Sequence, residues 1–303
     1  MDAIEATDLE KRFADLTAIK GISFRVPQGE TFGLLGPNGA GKTTTMRMLA
    51  GLSPISSGTL TVCGLDVAVH GRAVRHRLGV VTQADGLDTG LNVRQNLTSY
   101  GRLTGLGGRE AAQRADEVLD FFMLSDKARS EVGDLSGGMK RRLAIARALL
   151  AEPDVVILDE PSTGLDPDSR LRVWEALAAL KRRGVTLVMS THYMDEAEML
   201  CDRIAILHGG EILDIDTPEA LVERHGGEPA VDVRATHRDR GELRKILTES
   251  AIPFREMGAV FRVQTHDAAR GKLSALSGVS ITERTPNLED VFLNIAGRGL
   301  TDE

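Results

Sequence analysis

Apolar residues in the first 35 positions fall in short runs broken by turn formers. Ala3 to Thr7, Ile22 to Val26 and Thr31 to Leu35 read as strands, with Pro27, Gln28 and Gly29 marking the turn before the third. The expectation is a small antiparallel layer feeding a buried strand. After the glycine-rich run Gly36 to Thr44 the pattern changes to helical, with a helix expected over Thr45 to Leu52. Gly79 to Thr82 reads as a strand, and Val93 to Asp134 is mostly helical in pattern. Within that stretch Val118, Leu119, Phe121, Phe122 and Leu124 form an apolar cluster suited to core packing. Met139 to Leu150 carries Leu143, Ile145, Ala146, Leu149 and Leu150 at helical spacing. The continuous apolar runs Val155 to Leu158 and Thr186 to Met189 flank a helical pattern from Ser169 to Arg182, the βαβ alternation of a parallel sheet covered on both faces. Ligands in such sheets sit at the C-terminal strand ends, where Asp159 and Glu160 follow one strand and Ser190, Thr191 and His192 the other.

The composition shifts near His225, where Gly226, Gly227 and Pro229 read as a linker, so the expected division is 1–226 and 227–303. Beyond it Val231 to Arg234, Ala259 to Gln264 and Val279 to Glu283 read as strands. Glu242 to Glu249 and Ala268 to Leu276 read as helices, giving a small α+β domain. A last helix from Asn287 to Ala296 follows Pro286 and gathers Leu288, Val291, Phe292 and Ile295 on one face, a stripe expected to dock onto its own domain.

At 303 residues, 42% hydrophobic and 27% charged, the chain has room for one large domain and one smaller one. Its net charge of -7 argues against a nucleic-acid partner, since affinity for phosphate backbones comes from Lys and Arg. The basic run Lys140, Arg141, Arg142 is therefore expected to be a solvated helix face. Two cysteines, Cys63 and Cys201, supply neither a disulfide framework nor a metal cluster, which fits structural thiols in a reducing compartment. No apolar run approaches the ~20 residues needed to cross a bilayer, and the acidic N-terminus lacks a signal-peptide pattern. Work at a membrane would require docking onto another chain.

The candidate chemistry begins in GPNGAGKTT. Gly36, Pro37, Asn38, Gly39, Ala40, Gly41, Lys42, Thr43 and Thr44 stand between a strand and a helix, as a P-loop requires. Glycines let backbone amides approach phosphate oxygens, Lys42 adds positive charge at the outer phosphates, and the Thr43 hydroxyl can ligand magnesium. Asp159 follows an apolar strand, which puts its carboxylate near the same metal, and Glu160 can orient and deprotonate an attacking water. ATP and Mg2+ are the implied ligands. A second glycine-rich helix start, LSGG from Leu135 to Gly138, offers outward-facing amides and a positive dipole end to an anion.

These motifs, in this order from Met1 to about His225, resemble the ATP-binding cassette family of transporter ATPases, whose signature is LSGG. The resemblance implies an α/β P-loop fold with an antiparallel β layer and a helical subdomain. It implies that Gln83 reaches magnesium and water and senses the membrane subunit, that His192 contacts the terminal phosphate, and that Phe13 stacks on adenine. Asp166, in GLDP, corresponds to the loop joining two active sites across a dimer. A head-to-tail homodimer follows from the resemblance, with Ser136, Gly137 and Gly138 of one chain capping the ATP on the other's P-loop. One position departs: where the family's commonest signature continues with Gln, this chain has Met139, which removes any side-chain amide contact and leaves Ser136 and the glycine amides. The segments His192 to Ile212 and Thr285 to Gly297 are similar to drug-resistance exporters of the daunorubicin type and to nodulation lipo-oligosaccharide exporters. They imply a separate six-helix permease and a place at the cytoplasmic face of the membrane. A cassette protein acting on ribosomes or DNA is the alternative, disfavoured because such relatives usually carry two cassettes, coiled coils or zinc modules. LSGG disfavours a plain P-loop kinase or switch.

Overall fold

The structure is a computed structural model. It describes residues 1–227, 229–236, 239–250, 252, 254–264 and 279–297. Internal contacts divide the chain into two compact units, Met1–Pro218 and Glu219–Glu303.

The first unit opens with a long antiparallel ribbon, β1 (Asp2–Phe13) and β2 (Leu16–Pro27), followed by β3 (Thr31–Leu35). The ribbon outruns the strands read from apolar runs because β-bulges interrupt its alternation, including shifts between Ala6 and Leu9 and between Lys11 and Arg12. Then come α1 (Lys42–Leu49), β4 (Ser57–Val62), β5 (Leu65–Asp66), α2 (Val67–His76) and β6 (Leu78–Val81). The segment expected to be mostly helical resolves into α3 (Val93–Leu103), α4 (Gly108–Phe121) and two single 3-10 turns. The unit continues with α5 (Gly137–Ala148), β7 (Val155–Asp159), α6 (Pro167–Arg182), β8 (Thr186–Thr191), α7 (Met194–Leu200), β9 (Arg203–His208) and β10 (Glu211–Asp216).

The central sheet runs β10-β9-β3-β8-β7-β6, parallel from β9 to β6, with β10 antiparallel at one edge. Strands β3, β7 and β8 are buried at every position, which is why they lack polar alternation. A second sheet, β2-β1-β4-β5, supplies the antiparallel layer. One core cluster joins them, drawing Leu9, Ile19 and Leu60 from the layer, Leu34 and Val188 from the central sheet, and Met46 from α1. Across this join the Phe24 and Phe32 rings stack 5.3 Å apart.

The basic-face expectation for Lys140 to Arg142 is corrected. Arg141 and Arg142 are buried, 4% and 5% exposed. Arg142 donates to Phe122 O at 2.7 Å, and Arg141 is spent on carbonyls around the site described below. Both cysteines are free thiols. Burial raises the pKa of each.

Helix α8 (Pro218–His225) spans the boundary between the units, which falls at Pro218 and so precedes the 226/227 expectation. The glycines there mark a helix end: a Cβ on Gly226 would fall 2.6 Å from Val222 O and 2.7 Å from Pro286, and Asn294 donates to His225 O. The second unit holds β11 (Ala230–Ala235), α9 (Arg240–Glu249), β12 (Phe254–Met257), β13 (Val260–Gln264), β14 (Val279–Arg284) and α10 (Leu288–Ala296). Its described strands form an antiparallel sheet, β12-β13-β11-β14. Val231, Val233 and Ala235 alternate toward a core shared with Leu243 and Leu247 of α9. Asn287 caps α10 rather than beginning it, and Leu288, Val291 and Phe292 are buried. The helix expected over Ala268 to Leu276 lies outside the described residues.

Candidate nucleotide site

Helix α1 begins at Lys42, three residues before the sequence expectation, because Gly41 turns the chain in the left-handed region (φ 106°) where a side chain would be strained. A Cβ there would also meet Ile19 at 2.5 Å. At the other end of the loop, a Cβ on Gly36 would fall 2.1 Å from Leu207 O of β9. Gly210 donates to Ala40 O at 3.1 Å. The loop is thus braced by β9 and the turn after it, and α1 starts with no side-chain cap on its first amides. That leaves a helix start whose amides no side chain caps, an arrangement suited to an anion.

Lys42 lies buried behind this loop, donating to Gly36 O at 2.7 Å and Pro37 O at 2.9 Å. Its Nζ stands 3.6 Å from Glu160 Oε1. Burial holds the Lys42 pKa below the ordinary lysine value, opposed by Glu160 and then by Asp159.

Glu160 is the convergence point. It follows β7 with φ 49°, an αL conformation that costs a residue with a Cβ about 1–3 kcal/mol. The turn is fixed by its amide, which donates to Ser190 Oγ at 3.0 Å, and by Arg141, which donates to its carbonyl at 3.0 Å. Its Oε2 accepts from Thr163 Oγ1 at 3.0 Å and from Gln83 Nε2 at 3.5 Å. Its Oε1 lies 3.4 Å from His192 Nδ1, outside hydrogen-bond geometry. Beside it, Asp159 Oδ1 accepts from Thr43 Oγ1 at 3.2 Å and from Ser190 Oγ at 2.6 Å.

A cleft of about 570 Å³ opens over these groups, within the usual range for small-ligand sites. Phe13, Pro37, Asn38, Gly39, Gly41, Lys42, Thr43, Thr44, Gln83 and Glu160 all line it. Phe13 is half exposed at its mouth, with Lys11 Nζ 4.7 Å from the ring centroid. Ser136, Gly137, Gly138 and Asp166 are not among its lining residues. They gather instead at the starts of α5 and α6. Ser136 caps α5 by accepting from Met139 N at 3.3 Å, and Asp166 caps α6 by accepting from Ser169 N at 3.0 Å. The Ser169 hydrogen bonds hold the Asp166 carboxyl below its ordinary pKa. A Cβ on Gly138 would lie 2.5 Å from Ser169, so the two helix starts are in close contact.

The candidate residues therefore divide into two groups, those lining the cleft and those at the starts of α5 and α6. A model described as ABC transporter matches residues 19–163. Over 99% of this chain, 43% of positions are identical to the Nod factor export ATP-binding protein I of Burkholderia lata, covering 98% of that protein. This chain belongs to the ABC transporter family. The same-named protein of Rhizobium meliloti is 42% identical over 99% of this chain and 90% of its own length. A solved ATP-binding subunit of an ABC transporter superposes on this ATPase with TM-score 0.66 and 29% identity, covering 74% of this chain and 93% of that one. A cassette solved as a dimer in a post-hydrolysis state with ADP and Pi matches with TM-score 0.64 and 25% identity, covering 71% of this chain and 98% of that one. The ABC fold explains why an antiparallel layer carrying Phe13 sits beside a P-loop sheet.

Three polar contributors escaped the sequence reading. Ser190 was visible only as a polar strand end, and Thr163 only as a hydroxyl three residues past Glu160. Arg141 had a clearer signal, because it stands three residues after Gly138 and four before Ile145, on the buried face of α5.

Proposed function

We propose that this ABC ATPase hydrolyses ATP as a head-to-tail homodimer and drives export of a lipo-oligosaccharide through a separate membrane permease. The observation that carries the hydrolytic reading is the convergence of Lys42, Gln83, Thr163 and His192 on the Glu160 carboxylate, beside Thr43 and Asp159. Full-length similarity to Nod factor export proteins supports the exporter and its substrate class. Among the described residues no helix is long and apolar enough to cross a membrane. The dimeric post-hydrolysis cassette supports a dimer, and the head-to-tail order rests on the family resemblance.

The P-loop amides and Lys42 bind the phosphates, and Phe13 stacks on the base at the cleft mouth. The Thr43 hydroxyl and Asp159 carboxylate are hard oxygen donors at hydrogen-bond distance, and Gln83 adds a third, a set suited to Mg2+. When bound, Mg2+ would neutralise charge developing on the phosphate oxygens. Glu160 holds the attacking water and takes its proton, and Gln83 and Thr163 fix the carboxylate's orientation. His192 stands on the other side of that carboxylate, at the end of β8, to contact the transferred phosphoryl group. Ser136, Gly137, Gly138 and Asp166 act on the partner's nucleotide.

ATPase measurement with the permease in vesicles tests the reading. Stimulation by a lipo-oligosaccharide supports it. Stimulation by an anthracycline drug alone would move the substrate to the drug-exporter class, and indifference to any permease would reject the transport role.

A further inference from the structure

Of the two arginines expected on a solvated face and found buried, Arg141 reaches both sides of the hydrolytic centre. From one turn inside α5, Arg141 Nη1 donates to Thr82 O at 2.6 Å and to Asp85 Oδ1 at 3.3 Å, the residues that bracket Gln83. Its Nε donates to Pro161 O at 2.8 Å, and its Nη2 to Asp159 O at 2.8 Å and Glu160 O at 3.0 Å. A guanidinium is a rigid planar fork with five N–H donors, so bonds from all three nitrogens fix the two segments in one frame. Two turns later Arg147 donates to Asp85 O at 2.8 Å and to Gly86 O at 2.5 Å.

We infer that Arg141 is a positioning residue for hydrolysis, clamping the Gln83 loop and the Glu160 turn to the helix that begins with LSGG. The need for it is visible in the geometry. Glu160 sits in a strained αL turn, and the Gln83–Glu160 contact spans 3.5 Å, the outer edge of a hydrogen bond. Both therefore depend on where their backbones are held. Thr82 and Gln83 are otherwise exposed, past the end of β6. Because the clamp is anchored on α5, a shift of the LSGG end carries the water-orienting pair with it. Lys42 and the P-loop receive no bond from Arg141, and Asp159 is held by it only at the main-chain carbonyl, so the groups that grip the phosphates are outside its reach.

The inference rests on Glu160 being the water-activating base, and the test separates the two. Arg141→Met and Arg141→Lys are compared with Glu160→Gln, with ATP affinity and turnover expressed per ATP-competent site so that unfolded protein does not count. Displacing a reacting group by about an ångström costs about a hundredfold in rate. That loss is expected for Arg141→Met. Lysine places its donors at one point and cannot span two segments, so Arg141→Lys is expected to lose about tenfold. Unchanged ATP affinity is expected in both, whereas a merely structural arginine would lower affinity and turnover together. Native turnover per site in Arg141→Lys, with Glu160→Gln inactive, overturns the positioning role alone. Native turnover in Glu160→Gln overturns the reading of the base.

Discussion

Two glycine-rich helix starts, at α1 and α5, carry similar sequence chemistry and meet opposite surroundings. Helix α1 begins at a left-handed glycine with no side-chain cap, and its loop lines the cleft with Glu160 across from it. Helix α5 has its cap filled by its own Ser136, lies off that cleft, and is wedged against the start of α6. An uncapped start leaves its amides for a ligand of the same chain. A start already capped from within, and remote from its own cleft, is shaped as a surface for a ligand presented from outside. The contrast supports one chain contributing to two different sites.

The largest expected effect separates chemistry from binding at the first start. Glu160→Gln should lower phosphate release by about a hundredfold to ten-thousandfold, with ATP still bound and the ATP-bound dimer accumulating. Retained turnover in a phosphate-release assay would remove Glu160 from the mechanism. Next, Lys42→Ala should weaken ATP binding by about ten- to a hundredfold, through loss of a charge-assisted phosphate contact and an unpaired Glu160 beside it. Calorimetric titration reads it, and native affinity would contradict the P-loop role.

At the second start, Gly138→Ala should act differently. Its Cβ would meet Ser169 at 2.5 Å, so a destabilisation of about 1–3 kcal/mol is expected from overpacking. Turnover should fall while ATP affinity of the single chain stays native. Loss of single-chain ATP affinity in the folded variant would join the two starts into one site and end the contrast.

The smallest effect concerns Glu196 on α7, which is 1% exposed and accepts from Trp174 Nε1 of α6 at 2.9 Å. Burial raises its pKa, against hydrogen bonds that lower it. The folded state therefore holds the proton more tightly than the unfolded one. Glu196's contribution to stability is present below the unfolded value and is lost as pH rises through the folded one. Glu196→Gln should accordingly gain stability relative to the native chain as pH rises from the carboxylate range toward neutrality. Denaturant unfolding at several pH values checks this, and a difference that does not vary with pH would contradict it.

The two starts also differ in how legible they were. The P-loop, Asp159 and Glu160 could be read from strand, loop and helix order, because each residue's chemistry is fixed by its local context. The αL turn at Glu160 and its ties to Ser190 and Thr163 depend on strand neighbours that sequence order does not reveal. The second start and its service to a partner's nucleotide were legible only through family resemblance, and the fold adds that it lies off its own chain's cleft. Arg141 was misread because net charge and a basic run say nothing about which helix face is buried. The bulged ribbon hid strand length in the same way, since each bulge breaks the period-two pattern that marks a strand. In the second unit, β11 kept that alternation and was read nearly residue for residue.

The most direct measurement of the two-site claim mixes two inactive chains, one carrying Lys42→Ala and the other Gly138→Asp. In a head-to-tail dimer of the two, the intact P-loop of one chain faces the intact LSGG segment of the other. Hydrolysis in the mixture should rise well above either variant alone. A mixture that stays inactive at every ratio, while heterodimers demonstrably form, would contradict the claim that one chain serves two sites.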